Sequence, residues 1–208
     1  MRLRGLYAIT PDCPDSGKTV ERARLALEGG ARWLQYRNKT APIEQRLVEA
    51  IALAELARRY GARLIVNDDV RLALEVGADG VHLGRDDGDL AAARAMLAGK
   101  LLGASCYDSL ECARCALAAG ADYVAFGSVF PSPTKPGAVR APLTLFGEAR
   151  ALGVPLVAIG GITLENAPQA IAAGASCVAV VSALFDAPDI AARARAFARL
   201  FSIAPVSA

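Results

Sequence analysis

The feature that most constrains this chain is an alternation that never breaks: short β-rich apolar runs are separated by longer alanine- and leucine-rich stretches along the whole length. Strands are predicted at 6–10, 33–37, 64–67, 80–83, 101–105, 123–127, 156–159 and 177–181, and helical patterns at 20–28, 43–60, 70–75, 90–98, 110–118, 143–152, 164–172 and 190–201. That is the pattern of repeated βα units and a parallel sheet. A repeated tripeptide supports the count: Gly30-Ala31-Arg32, Gly61-Ala62-Arg63, Gly77-Ala78-Asp79, Gly120-Ala121-Asp122 and Gly174-Ala175-Ser176 each follow a helical pattern and lead into an apolar run. Glycine there accepts the left-handed conformation that ends a helix. Eight strands in 208 residues leave little beyond strand, helix and two turns per unit, and no stretch has the composition of a linker. The expectation is one α/β domain over 1–208, a single (βα)8 TIM barrel, rather than a doubly wound sheet, which usually has fewer strands.

Composition narrows the partners. With 54% apolar and 21% charged residues the chain can bury a core, which excludes disorder. A net charge of +2 gives no basic face for a polyanion, and no apolar run approaches the ~20 residues of a membrane helix. The apolar run after Arg2 and Arg4 is too short for a secretory signal. Neither nucleic acid nor membrane is expected as a partner, and the cytoplasm is the expected location. The five cysteines are odd in number, and Cys112-x-x-Cys115 falls on a predicted helix in a chain with one histidine, so reduced thiols on a helix face are expected rather than zinc.

In a barrel of this kind the active site forms at the C-terminal ends of the strands. After strand two comes Gln35-Tyr36-Arg37-Asn38-Lys39, an amide and two cations at one strand end. Asn67-Asp68-Asp69 follows strand three and Arg85-Asp86-Asp87 follows strand four, so carboxylates from adjacent strands could converge on a hard cation such as magnesium. One member of each pair is expected to cap a helix or lie in solvent. Strand six runs into Ser128-Val129-Phe130-Pro131-Ser132-Pro133-Thr134-Lys135-Pro136-Gly137, a proline-stiffened loop with hydroxyls and an ammonium. Gly160-Gly161 after strand seven and Val181-Ser182 after strand eight suit a backbone phosphate site. Together these imply a cation site with basic side chains on one side of the mouth and a phosphate cradle on the other, hence two anionic ligands or one long one. His82 lies inside strand four and reads as a core residue.

The runs LYAIT, QYRNK, VNDDVRLALEVGADGVHLGRDD, GADYVAFGSVFPSPTKPGA and VAIGGITLENA resemble, in order, the thiamine phosphate synthase family from Leu6 to Ser182. That family joins a pyrimidine methyl diphosphate to a thiazole ethyl phosphate with Mg2+, releasing diphosphate. The resemblance implies that Gln35, Arg37, Lys39, Asn67, Ser105 and Lys135, with Tyr36 and Asn38 of the same run, hold the pyrimidine diphosphate. It gives Asp68 and Asp87 to magnesium, and gives Ser132, Pro133, Thr134, Gly161, Val181 and Ser182 to the thiazole phosphate. Lys135, Arg37 and Lys39 are then the catalytic cations, neutralising the departing diphosphate while the thiazole nitrogen attacks without a general base. The partners implied are small phosphorylated molecules; the residues leave the oligomeric state open.

The chain departs from the family's commoner pattern at Asn38, where glutamate is usual, at Arg85, where glutamine is usual, and at Ser132, often threonine. Arg85 could weaken the metal site or add a diphosphate contact. A related thiazole tautomerase uses a histidine after strand six, where Ser128 stands here, which disfavours that alternative. A non-catalytic barrel binding phosphorylated ligands is the other alternative.

Overall fold

The computed structural model describes residues 3–131 and 139–203. Eight parallel strands, β1 (Gly5–Ile9), β2 (Trp33–Tyr36), β3 (Arg63–Asn67), β4 (Gly80–Leu83), β5 (Leu101–Tyr107), β6 (Tyr123–Phe126), β7 (Leu156–Ile159) and β8 (Cys177–Val180), close into a barrel in chain order. Closure is the pairing of β8 with β1, in the register Gly5↔Cys177 to Ala8↔Val180. Helices α1 (Ser16–Glu28), α2 (Ile43–Arg59), α3 (Val70–Glu75), α4 (Leu90–Met96), α5 (Leu110–Ala118), α6 (Thr144–Ala149), α7 (Ala167–Ala173), α8 (Ser182–Phe185) and α9 (Ile190–Ile203) cover the outside.

Strand periodicity divides the core in two. Tyr7, Trp33, Ile65, Tyr123, Val157 and Cys177 point inward and pack with one another. Their neighbours Leu6, Leu34, Leu64, Val66, Val124 and Val178 point outward and meet the helices. Because every strand is covered on both faces, the strand sequences read as nearly continuous apolar runs.

The repeated tripeptide does what its glycine suggests. Gly30, Gly61, Gly77, Gly120 and Gly174 all have positive φ. In each case the glycine amide and the following alanine amide bond back to helix carbonyls, as in Gly77 N to Leu74 O (3.2 Å) and Ala78 N to Ala73 O (2.9 Å). The third residue then joins the sheet: the Asp79 carboxylate accepts from Leu64 N (2.8 Å), the Asp122 carboxylate from Leu102 N (2.7 Å) and the Ser176 hydroxyl from Leu156 N (3.3 Å). These devices tie amides of β3, β5 and β7 at the N-terminal end of the barrel.

Boundaries differ from expectation where side chains take over backbone bonds. α1 starts at Ser16 because the Asp15 carboxylate caps the Lys18 amide. α7 starts at Ala167, since Asn166 holds the Thr163 amide and the Gly161 carbonyl within the preceding loop. β5 runs on to Tyr107 through an irregularity between Ser105 and Tyr107, and α8 was not expected. The expected helix at 143–152 is a short α6 finished by a 3-10 turn, Arg150–Leu152. All five cysteines are free thiols, and among the described residues no group of three histidine, cysteine or acidic side chains could hold a metal. No helix among the described residues is long and apolar enough to cross a membrane.

Candidate active site

Polar side chains gather at the C-terminal ends of β1 to β5. Thr10, following β1, is buried; its hydroxyl donates to the Arg37 carbonyl and accepts from the Arg37 amide, both at 2.8 Å. Asp12 then receives Arg37 Nη1 at 2.7 Å and the Lys39 amide at 2.6 Å. Burial opposes ionisation of Asp12, but the hydrogen bonds and charges of Arg37 and Lys39 outweigh it and hold its carboxyl below the usual range. Neither Thr10 nor Asp12 was singled out from sequence, although a polar residue ending a barrel strand was the available signal. Together they fix the backbone that carries both cations.

Lys39 reaches the end of β3, where its Nζ lies 2.7 Å from Asp68 Oδ2. Asp68 has φ 64, a strained conformation for a residue with a side chain, and its amide bonds to the His82 carbonyl at 2.9 Å. The Asp87 carboxylate accepts from the Gly84 amide at 2.9 Å and interacts directly with Asp68. Burial and then the neighbouring Asp87 raise the pKa of Asp68, against the pull of Lys39. Two carboxylates pressed together, with one cationic partner at a half-exposed lysine, form an environment that favours additional positive charge. A two-oxygen-ligand site open to water and phosphate oxygens fits a magnesium ion, which keeps several waters and takes few protein ligands. Asp69 caps α3 through the Leu72 amide, and Asp86 is exposed, so each expected pair divides into one inward and one structural or solvated member.

Two of the expected contact residues have their side chains bonded to the protein itself. Tyr36 and Asn38 are 2% and 3% exposed, and both turn away from the mouth toward Glu49 of α2. The Tyr36 hydroxyl donates to Glu49 Oε2 at 2.8 Å, while Asn38 Nδ2 donates to Glu49 Oε2 at 3.0 Å and to the Cys13 carbonyl at 2.8 Å. The reason is strand alternation: Gln35 points in, so Tyr36 points out. Burial works against ionised Glu49, but bonds from Gln45, Asn38, Tyr36 and Ser16 hold its pKa below the usual range. Asn38, with Tyr36, therefore serves a carboxylate beneath the loop, and the polar atoms of both side chains are engaged within the protein. Arg85 stacks its guanidinium 4.5 Å from the centre of the Tyr107 ring.

Gln35, Asn67 and Ser105 line the floor. Gln35 Nε2 donates to the Tyr7 hydroxyl at 3.0 Å, and Ser105 Oγ lies 2.9 Å from His82 Nε2. Asn67 is level with His82 in the register of β3 with β4. His82 is a satisfied interior residue, as expected, with Nδ1 3.1 Å from the Tyr123 hydroxyl.

Across the mouth, Gly160 and Gly161 have φ 96 and 62, and a Cβ on Gly161 would stand 2.3 Å from the Pro131 carbonyl oxygen. The loop after β6 presses on this turn through Val129 N to Ile159 O (3.0 Å) and Phe130 N to Gly160 O (3.1 Å). Val181 precedes α8, whose first internal bonds are made by Leu184 and Phe185 to the Val181 carbonyl, so the Ser182 and Ala183 amides precede the helical ladder. Glycines and backbone amides placed outside a helical ladder are the groups a phosphate site uses. Ser132, Pro133, Thr134 and Lys135 lie outside the described residues.

The chain is similar to known proteins along nearly its whole length. The family model described as thiamine monophosphate synthase matches residues 6–184. The chain is 59% identical over 201 residues to the thiamine-phosphate synthase of Chromobacterium violaceum, covering 96% of this chain and 97% of that one. It is 58% identical over 205 residues to the thiamine-phosphate synthase of Thioalkalivibrio sulfidiphilus, covering 97% of each. The solved structure of thiamine phosphate pyrophosphorylase from Pyrococcus furiosus superimposes with a TM-score of 0.87 at 37% identity, covering 95% of both chains. The chain belongs to the thiamine monophosphate synthase family.

Proposed function

We propose that the chain, acting over 1–208 as one catalytic unit, condenses 4-amino-2-methyl-5-(diphosphooxymethyl)pyrimidine with thiazole ethyl phosphate to give thiamine phosphate and diphosphate. The observation that carries this reading is the placement of Lys39 on Asp68, itself against Asp87, beside an Arg37 held by Asp12 and opposite a glycine cradle. One end of the mouth gathers a diphosphate and a hard cation; the other seats a second phosphate.

Asp68 and Asp87 would hold magnesium, which when bound supplies positive charge to the diphosphate oxygens. Arg37 is aimed by Asp12 to contact the same oxygens, and Lys39 is positioned to exchange its bond with Asp68 for one with the diphosphate. Charge grows on that group as the C–O bond breaks, so prearranged cations stabilise the transition state more than the bound substrate. Lys135 would join them; its role rests on the family motif. The electron pair of the C–O bond leaves with diphosphate, and the thiazole nitrogen, which carries no proton, supplies the pair for the new C–N bond. No base is needed, in keeping with His82 being committed on both ring nitrogens. Gly161, Val181 and Ser182 would seat the thiazole phosphate through backbone amides and so fix the attack geometry, and the family motif adds Ser132, Pro133 and Thr134 to that phosphate's contacts.

Small phosphorylated substrates, with neither nucleic acid nor membrane as a partner, follow from this reading; the free thiols support a cytoplasmic location. Purified protein mixed with both substrates and magnesium should form thiamine phosphate and diphosphate in equal amounts, and a chelator should stop the reaction. Folded protein that binds the thiazole phosphate yet forms neither product would overturn the assignment.

A further inference from the structure

Five polar side chains cross the barrel interior in single file, and three of them take no part in the reaction just described. From β2 to β5 the file runs from Gln35 Nε2 to the Tyr7 hydroxyl (3.0 Å), Tyr7 to the Tyr123 hydroxyl (2.9 Å), Tyr123 to His82 Nδ1 (3.1 Å) and His82 Nε2 to Ser105 Oγ (2.9 Å). Polar groups inside a barrel core are costly unless paired, and a fully paired file specifies one arrangement. The backbone makes room for it: a Cβ on Gly103 would lie 2.0 Å from the Tyr123 ring. Burial pushes the pKa values of Tyr7 and Tyr123 well up, so both hydroxyls keep their protons near pH 7.

A hydroxyl has one proton to donate and a neutral imidazole one N–H, so the direction of each bond fixes the next. Gln35 donates to Tyr7; Tyr7 therefore donates to Tyr123, and Tyr123 to Nδ1 of His82. His82 then carries its proton on Nε2 and donates to Ser105, whose own hydroxyl proton is left for a ligand. At the far end, Gln35 Oε1 takes no hydrogen bond from a described residue and is left as an acceptor. Reversing the file would invert both ends together.

We infer that Tyr7, Tyr123 and His82 are positioning residues that polarise the floor of the site, so that Gln35 offers an acceptor and Ser105 a donor. Such a floor matches a heteroaromatic ring bearing an amino group beside a bare ring nitrogen. It mismatches the oxo counterpart, whose carbonyl and ring N–H present the opposite pattern. This selectivity rests on the reading that Gln35 and Ser105 touch the pyrimidine; the polarity of the file does not.

The chain has a single histidine, so nitrogen NMR of the uniformly labelled protein shows one imidazole. At neutral pH the expected spectrum has the proton on Nε2 and a bare Nδ1; a proton on Nδ1, or on both, overturns the inference. Calorimetry without the thiazole phosphate then compares the aminopyrimidine methyl diphosphate with its oxo analogue. Wild type should favour the amino ligand by about tenfold or more, and Tyr123→Phe and Tyr7→Phe should each bring the ratio toward one while affinity for inorganic diphosphate stays within about twofold. A merely structural role would weaken both pyrimidines alike, and an unchanged ratio in the two folded variants sinks the inference. Wild type that binds neither pyrimidine would count against the proposed reaction instead, and the imidazole spectrum would still decide the polarity.

Discussion

The two ends of the barrel use the same residue, aspartate, to opposite effect. At the N-terminal end, Asp79 and Asp122 are surrounded by donors: each accepts from a strand amide and from an arginine, Arg63 and Arg94 respectively. At the C-terminal end, Asp68 sits at positive φ against a second carboxylate. Satisfied carboxylates hold strands in register, whereas a carboxylate left in conflict is a place where a ligand's charge can act. Residue type alone therefore says little until the hydrogen-bond partners are counted.

Asp68→Asn is the sharpest way to break this contrast. It should lower turnover by on the order of 10² to 10³, with partial rescue by raised magnesium, because it removes charge where the diphosphate departs. Stability should hold or rise. A carboxyl whose folded pKa is raised contributes stability below its unfolded value of 3.8 and loses it as pH rises through the folded value, so ionised Asp68 is a cost at neutral pH. Full activity at low metal would remove Asp68 from the site.

Glycines give a second contrast with matched backbones. Gly161 and Gly77 have φ 62 and 66, but a Cβ on Gly161 meets carbonyl oxygens of Pro131 and Phe130 while one on Gly77 meets nothing within 4 Å. Gly77→Ala should cost about 1–2 kcal/mol in thermal or urea unfolding and leave catalysis alone. Gly161→Ala should cost about 2–4 kcal/mol and weaken thiazole phosphate binding, since the loop after β6 must shift. Equal effects would mean that the cradle is not close-packed.

How much of this was legible in the sequence follows the same division. The barrel could be read because strand and helix periods and the Gly-Ala turns are local signals, and each of those five turns forms as its glycine suggests. The conflict between Asp68 and Asp87 was legible as convergence of adjacent strand ends. What could not be read was which way a side chain turns inside a run of polar residues: Asn38 looked like a ligand contact, yet it is committed to Glu49, which stands eleven residues further on in a helix. The file through Tyr7, Tyr123 and His82 was hidden because its members lie on β1, β6 and β4, and only barrel closure brings them together.

His82 tests whether the interior between the two ends stays neutral. Its folded pKa of about 4 lies below the ordinary 6.5, so the unfolded chain takes up a proton first as pH falls, and stability is lost between 6.5 and 4. Tyr123 and Ser105 face the ring, and the charge of Asp87 opposes the shift only partly. Wild type should lose on the order of 3 kcal/mol more across that window than a folded His82→Asn variant, measured by urea unfolding at several pH values.

Asp122→Ala should have a small effect and bears most directly on the comparison. Its carboxylate holds the first amide of the β5 core, Leu102 N at 2.7 Å, and Arg94 Nη1 at 3.0 Å, with Arg94 also bonded to the Lys100 carbonyl at 2.6 Å. The arginine keeps that carbonyl after the substitution, and the ion pair is partly exposed, so screening leaves it worth little. The loss is chiefly one capped amide, about 1–2 kcal/mol in urea unfolding. Turnover and both substrate affinities should stay within about twofold of wild type. If turnover instead fell as it should for Asp68→Asn, the N-terminal end would be coupled to the site through β5 and Ser105, and the separation of stability from chemistry along the barrel axis would fail.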